Sequence, residues 1–286
     1  MQPHRRYTLN ASCPDRVGIV AKVAGFFAEH QGWILENANH SDSSAGRYFM
    51  RVEIRADSIP FHLAELRARF KPIADELAMS WRIVDSAVKK RMVIMVSKQD
   101  HCLYDLLSRW KSGELEVEIP CVISNHDSLR GFVEWHGITF HHVPVKADDK
   151  SAAFAEIERI IDEVRADFIV LARYMQILPP NLCSLLPERI LNIHHSFLPS
   201  FVGAKPYHQA YARGVKLIGA TCHYVTAELD AGPIIEQDVI RIDHSDSVED
   251  MVRYGRDIEK AVLARGVRYH MEDRVLVHGN KTVVFR

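Results

Sequence analysis

The sequence is short of most features that would assign a protein to a class at once, and each shortage excludes something. Cysteine is scarce and scattered: Cys13, Cys102, Cys121, Cys183 and Cys222 are odd in number, form no CxxC pair and have no zinc-ligand spacing. That excludes a disulfide framework and predicts buried free thiols in a reducing compartment. No segment supplies the ~20 apolar residues of a membrane span, and the opening MQPHRRYTLN has no apolar run behind its arginines. The expectation is a soluble, unexported protein of the cytoplasm. Charge of one sign is not in excess either, with 36 Lys and Arg against 37 Asp and Glu, so no overall field draws the chain to nucleic acid or to a membrane surface. Repeats and low-complexity tracts are missing. What is present is 286 residues, 47% hydrophobic and 26% charged, enough for one large domain or two unequal ones.

Residues 1–86 read as a small unit. A strand at Tyr7 to Leu9 and a turn around Pro14, Asp15 and Gly18 lead into a helix whose apolar Val20, Val23, Phe26 and Phe27 recur at helical spacing, closed by Gly32. Strand-like runs follow at Trp33–Asn39 and Tyr48–Ile54, then a helical pattern over Phe61–Leu77 and a strand at Trp81–Val84. The order βαββαβ predicts a ferredoxin-like domain. The polar stretch Asp85–Arg91 then serves as a linker to residues 87–286.

In that longer part, β-branched runs at Met92–Val96, Val117–Ile123, Thr139–His142, Phe168–Leu171 and Arg189–His194 alternate with helical patterns over Leu103–Trp110, Leu129–Trp135, Ala152–Val164 and a short stretch after Pro180. Such alternation predicts an α/β, Rossmann-like domain with a mostly parallel sheet. Further strands at Leu217–Val225 and Ile234–Ile240, a helix over Val248–Met271 and a hairpin turning at Gly279 and Asn280 complete the pattern.

The densest polar signal is NIHHSFLPSF, Asn192 to Phe201, where a strand runs into a proline-containing loop. Side chains two apart share a strand face, so Asn192 and His194 point together while Ile193 and His195 point the other way. In open α/β sheets ligands gather at the carboxyl ends of strands. A second polar loop, HYVTAELDAGPII, carries Asp230 at its tip before Gly232 and Pro233. Taken singly, His194 reads as an ordinary hydrogen-bonded histidine, Asp230 as a turn aspartate and VLARYMQIL as a buried strand with its exit turn.

Together, SKQDHCLYDLLSRW, VLARYMQILP, NIHHSFLPSFVGAKPYHQA, GVKLIGATCHYVTAELDAGPIIEQDV and GNKTVVF resemble the folate-dependent formyltransferases over residues 87–286 and the formyltetrahydrofolate deformylases over essentially the whole chain. The resemblance implies hydrolysis of 10-formyltetrahydrofolate to tetrahydrofolate and formate, a supply of formate for purine synthesis that also balances one-carbon folate pools. It puts Asn192, His194 and Asp230 on the family's Asn-x-His and Asp positions. It implies that Met175, Gln176, Ile177 and Leu178 meet the pterin, largely through backbone, with Val225, Thr226 and Glu228 in the opposite wall. Gly203, Lys205 and Pro206 would shape the intervening loop and start the next helix, Pro206 suiting a first turn. Chemistry supplies roles: cleaving a formamide C–N bond needs a nucleophile, a stabilised oxyanion and a proton for the leaving nitrogen. Asn192 and protonated His194 can face the oxyanion. Asp230 can hold His194, orient water and accept its proton, a task eased if burial raises its proton affinity. No metal or cofactor is called for.

The acceptor is read from an absence. Transferases acting on glycinamide ribonucleotide hold its phosphate with a glycine-rich loop after their first strand, whereas Val96–Leu107 here contains no glycine. A transferase acting on initiator tRNA should carry basic surface in an added module, which this neutral chain lacks. Water is then the expected acceptor, with glycinamide ribonucleotide formyltransferase and a non-catalytic folate- or amino-acid-sensing protein as the alternatives. His195 and Phe197 match the deformylase-like form of the motif. By the same resemblance residues 1–86 are an ACT domain, with Asp15, Arg16, Val17 and Gly18 at the turn where a small amino-acid effector binds, Gly18 alternatively serving only close packing of that turn. ACT domains pair, so a homo-oligomer, with a tetramer as the guess, is expected.

Overall fold

The computed structural model describes residues 5–146, 149–200 and 206–286. Contacts divide the chain into two compact units: Met1–Lys89 with Glu272–His278 and Val283–Arg286, and Lys90–Met271 with Gly279–Thr282. Among the described residues no helix is long and apolar enough to cross a membrane.

The first unit runs β1 (Arg6–Pro14), α1 (Ile19–Glu29), β2 (Ile34–Asp42), β3 (Arg47–Arg55), α2 (Leu63–Glu76) and β4 (Ser80–Asp85). Its four strands are antiparallel in the order β2-β3-β1-β4. Leu9, Val52, Ile54 and Ile83 from the sheet meet Phe27, Leu66 and Phe70 from the helices in one buried cluster, as expected when two helices cover one face of a sheet. The helical stripe of α1 differs from the expectation by one residue: Ile19 is buried and Val20 faces outward, because the helix begins at Ile19 and its buried arc runs through Val23, Phe26 and Phe27.

The second unit contains β5 (Met92–Val96), α3 (His101–Lys111), β6 (Cys121–Ser124), α4 (Arg130–Trp135), β7 (Thr139–His142), α5 (Lys150–Glu163), β8 (Phe168–Leu171), α6 (Pro180–Leu185), β9 (Ile190–His194), α7 (Pro206–Arg213), β10 (Leu217–Tyr224), β11 (Ile234–Arg241) and α8 (Val248–Met271). The sheet order is β11-β10-β9-β8-β5-β6-β7. Neighbours from β7 to β9 are parallel, while β10 and β11 add antiparallel to that edge. This is an α/β fold with a mostly parallel central sheet. Strands β5, β6 and β8 are buried at every residue, which is why they read as short continuous apolar runs rather than alternating ones. All five cysteines are buried and free.

After α8 come β12 (Val275–His278) and β13 (Lys281–Val284), a hairpin turning through Gly279 at φ 58°. Within the first unit, the segment that follows α8 caps a buried arginine. Arg51 is only 1% exposed and donates to the carbonyls of Glu272 (3.0 Å) and Asp273 (3.1 Å) and to the carboxylates of Glu36 and Glu53.

Candidate active site

The carboxyl ends of β5, β8 and β9 and the loop between β10 and β11 surround a cavity of about 520 Å³. Ser97, just past β5, ties two of these ends together. Its hydroxyl donates to Asn125 Oδ1 (2.7 Å) and accepts from the Met175 amide (2.9 Å), and its own amide donates to the Arg173 carbonyl (3.2 Å). The β8 exit, Ala172 to Leu178, is thereby pinned in place, with Met175, Gln176, Ile177 and Leu178 on the cavity wall. Val225, Thr226 and Glu228 line the same cavity from the β10–β11 loop, together with Leu229. Met175, Ile177 and Leu229 keep more than half of their surface exposed there, an apolar lining of the kind that a flat ring system covers.

Asn192 and His194 sit two apart on β9 and share a face, as strand geometry requires. Asp230 reaches them from the β10–β11 loop: its Oδ2 is 3.3 Å from His194 Nδ1. Two features bend the loop back. Asp230 takes φ 55°, a left-handed conformation that aspartate tolerates better than most residues. Gly232 passes so close to the start of the loop that a β-carbon there would lie 1.8 Å from the Tyr224 carbonyl oxygen, so only glycine fits.

His223 joins this group and was not anticipated from the sequence. It pairs with Asn192 across β9 and β10. Its Nδ1 lies 2.9 Å from the Tyr224 carbonyl, which can only accept, so Nδ1 carries the proton and Nε2 presents a lone pair. Asn192 Nδ2 donates to that lone pair at 3.1 Å, which fixes the amide's orientation, and Asp230 Oδ1 lies 3.8 Å away. Burial pushes the proton affinity of His223 down, against the Tyr224 bond and the charge of Asp230, which keeps the accepting form. The signal available in the sequence was HYV at a strand end, seven residues before Asp230.

The proton balance at Asp230 runs opposite to the expectation from burial. Burial does push its carboxyl up, but the hydrogen bond and charge of His194, with His223 and His195 adding to them, hold it below the usual aspartate range. Asp230 is therefore a carboxylate at neutral pH. His194 is 5% exposed, and its Nε2 is buried with no partner among the described residues.

His195 was expected to face away from Asn192 and His194, yet it also lines the cavity. The strand ends at His194, so strict alternation stops one residue too early to apply. Burial and the neighbouring Arg173 push its proton affinity down to about 3. Phe197 is not among the lining residues and stays 42% exposed. Of the residues expected to shape the following loop, Gly203 and Lys205 lie outside the described residues, and Pro206 is the first residue of α7.

A second polar group, also unanticipated, closes the other side of the cavity. Glu259 of α8 is 1% exposed. It accepts from Tyr207 Oη at 2.7 Å and from His101 Nε2 at 2.8 Å, and Arg173 Nε stands 3.4 Å away. Burial pushes its carboxyl up, but these partners together keep it below the usual glutamate range. Tyr207 comes this close because Gly255 leaves room: a β-carbon there would fall 2.1 Å from its hydroxyl. His101, Cys102 and Glu259 place ligand-type atoms within 4.8 Å of one another. Both Glu259 oxygens are already engaged, and burial raises the Cys102 thiol well above its usual range, so the set is a poor cation cage.

At the other candidate position, Gly18 opens α1 at φ 93°, and a β-carbon there would meet nothing within 4 Å. It serves a left-handed turn rather than close packing. Arg16 donates to the Glu76 carbonyl at 2.7 Å, Asp15 accepts from Ser41, and Val17 is fully exposed.

Residues 90–267 match the family described as formyl transferase. A formyltetrahydrofolate deformylase from Corynebacterium sp. (strain P-1) is 49% identical over 286 residues, covering all of both chains. The crystal structure of a formyltetrahydrofolate deformylase from Pseudomonas syringae pv. tomato is 64% identical, with a TM-score of 0.98 over 100% of this chain and 96% of that one. A glycinamide ribonucleotide transformylase from Symbiobacterium toebii is 28% identical with a TM-score of 0.66, and the match takes in 72% of this chain against 98% of its own.

Proposed function

The chain belongs to the formyl transferase family, as one of its formyltetrahydrofolate deformylases, and from that premise we propose that Asn192, His194 and Asp230 carry out its reaction. The reaction is hydrolysis of 10-formyltetrahydrofolate to tetrahydrofolate and formate. The deformylases match from end to end, whereas the transformylase leaves more than a quarter of the chain unmatched, and the water-acceptor reading stands over transfer to glycinamide ribonucleotide.

The observation that carries the assignment of roles is the meeting of His194, Asp230 and Asn192 on one wall of an otherwise largely apolar cavity. The pterin lies between the Met175–Leu178 backbone and the Val225, Thr226 and Glu228 loop, which directs the formyl group toward β9. Asp230, ionised and fixed by His194, holds the attacking water by one oxygen and takes its proton as the oxygen bonds to the formyl carbon. The remaining N–H of Asn192 and Nε2 of His194 face the carbonyl oxygen as it gains charge. Collapse breaks the C–N bond, and the electron pair on nitrogen takes a proton from the His194 and Asp230 pair. These side chains supply every proton and charge that the step needs, and the mechanism calls on no metal or cofactor. A purified protein given 10-formyltetrahydrofolate alone should release formate at a rate that a chelator leaves unchanged. Turnover that requires an added amine would sink the hydrolase reading.

The first unit, with its β-α-β-β-α-β order and β2-β3-β1-β4 sheet, supports a ferredoxin-like ACT domain that senses a small amino acid through Asp15, Arg16, Val17 and Gly18. The enzyme works in the cytoplasm as a homo-oligomer, with a tetramer as the first assembly to test by light scattering.

A further inference from the structure

The buried arginine opposite the catalytic group has no part in the mechanism above. Arg173 follows β8 by two residues and takes φ 64°, a conformation that costs a long side chain roughly 1–2 kcal/mol and aims it into the cavity that Asn192, His194 and Asp230 share. Its side chain is 6% exposed. One edge is committed: Nε donates to Gln99 Oε1 at 2.8 Å and faces Glu259 Oε2 at 3.4 Å. The two terminal nitrogens make no hydrogen bond among the described residues, and Arg173 is part of the cavity lining. Gln99 and Glu259 thus hold one edge of a planar fork of donors on the wall of the cavity that His194 and His195 also line. His195 cannot compete for an anion there, since burial and Arg173 together keep its ring neutral.

A carboxylate is what such a fork recognises, by two parallel N–H to O bonds, and the reaction releases a one-carbon carboxylate at this spot. Water adds to the formyl carbon, the C–N bond breaks with its electron pair leaving on the protonated nitrogen, and formic acid loses its proton to Asp230 or solvent. We propose that Arg173 is the formate subsite of the enzyme, receiving the product carboxylate on the cavity wall made by Gln99, His195, Tyr207 and Glu259. The assignment rests on the hydrolase reading. It also accounts for a polar group on the acceptor side of the cavity: the occupant is a small anion, and Arg173 with the Glu259 cluster fills room that a larger acceptor would need.

The test uses the full chain with 10-formyltetrahydrofolate and no acceptor. Formate added to the wild type should inhibit tetrahydrofolate production. Arg173→Gln should raise the formate inhibition constant roughly tenfold or more, the worth of a charge-assisted pair, and Arg173→Lys, which keeps the charge and loses the fork, should raise it less. A folded Arg173→Gln protein whose kcat and KM change while formate inhibition stays within twofold of wild type overturns the proposal and leaves Arg173 as a packing partner of Glu259. Removing the guanidinium takes the arginine charge from the buried Glu259 and leaves it only Tyr207 and His101, a loss that can unfold the variant, so a second measurement needs no Gln variant. The ¹³C-formate resonance should broaden saturably with wild-type protein and less with Arg173→Lys. Equal broadening by both, or none by the wild type, overturns it. If the wild type needs an amine acceptor to turn over at all, the hydrolase reading itself fails, an outcome visible before any formate is added.

Discussion

The two units carry polar turns of similar composition and make opposite use of them. In the antiparallel first unit, the turn holding Asp15 to Gly18 spends its polar groups on fixing the turn, with Arg16 and Asp15 bonded to Glu76 and Ser41 and Val17 fully exposed. In the second, the parallel run of β5, β8 and β9 delivers three strand exits to one place, and the antiparallel β10–β11 loop folds back over them until Asp230 touches His194. Parallel connectivity is what makes the difference, since it puts every exit on the same side of the sheet. Chemistry here follows from convergence of elements more than from the residue types in any one of them.

The sharpest way to break that contrast is to remove one charge from the point of convergence. Asp230→Asn should leave folding intact and lower kcat by roughly 10³–10⁴, the worth of a general base and its charge; a fall below tenfold would take Asp230 out of the reaction. Next is the residue that orients rather than reacts. His223→Ala removes the acceptor that fixes the Asn192 amide, so kcat should drop roughly 10–100-fold with KM little changed, and an equal rise in KM would make His223 a binding residue instead.

The third prediction separates the units by acid. The unfolded chain protonates the His195 ring near 6.5, while the folded protein delays until about 3, so the unfolded state binds more protons between those values and stability falls as pH drops through that window. The loss for the second unit, followed by denaturant midpoints at pH 7 and pH 4.5, should be on the order of 1–2 kcal/mol after discounting for partial exposure. His195→Asn should flatten the slope, and an unchanged slope would assign the acid sensitivity elsewhere. The smallest effect belongs to the first unit. Gly46, in the β2–β3 turn at φ 60° with open space around it, should cost about 1 kcal/mol on change to alanine, read as a shift of the first unit's melting with the hydrolysis rate untouched. A loss of rate would show that turns in this unit report to the site after all.

Where a pattern is local, the sequence could be read closely. Met92–Val96, Thr139–His142, Phe168–Leu171 and Val248–Met271 coincide with the observed elements, because short buried strands are apolar throughout and a long helix repeats its stripe. Asn192, His194 and Asp230 were legible through resemblance, not spacing, since the aspartate lies 36 positions after the histidine. What stayed hidden depends on pairing between distant segments. His223 matters because β10 runs antiparallel to β9, a direction that no residue of either strand encodes. Glu259 reads as one more charge on an amphipathic helix until Gly255 lets Tyr207 approach it. Arg173 offered a faint clue, a charge lodged in the apolar run VLARYMQIL, but nothing local says what it faces.

The segment after α8 bears on synthesis. Glu272 and Asp273 satisfy the Arg51 guanidinium inside the first unit, yet they are translated after Lys90–Met271, nearly all of the second. A nascent chain emerging in order can therefore assemble Lys90–Met271 of the catalytic unit before the unit that precedes it has its full set of partners. Until then the guanidinium lacks two of its carbonyl acceptors and depends on Glu36 and Glu53 alone. The first unit to leave the ribosome is the last to be finished, and a nascent chain stalled just short of Glu272 would expose that order as a protease-sensitive first unit beside a resistant second one.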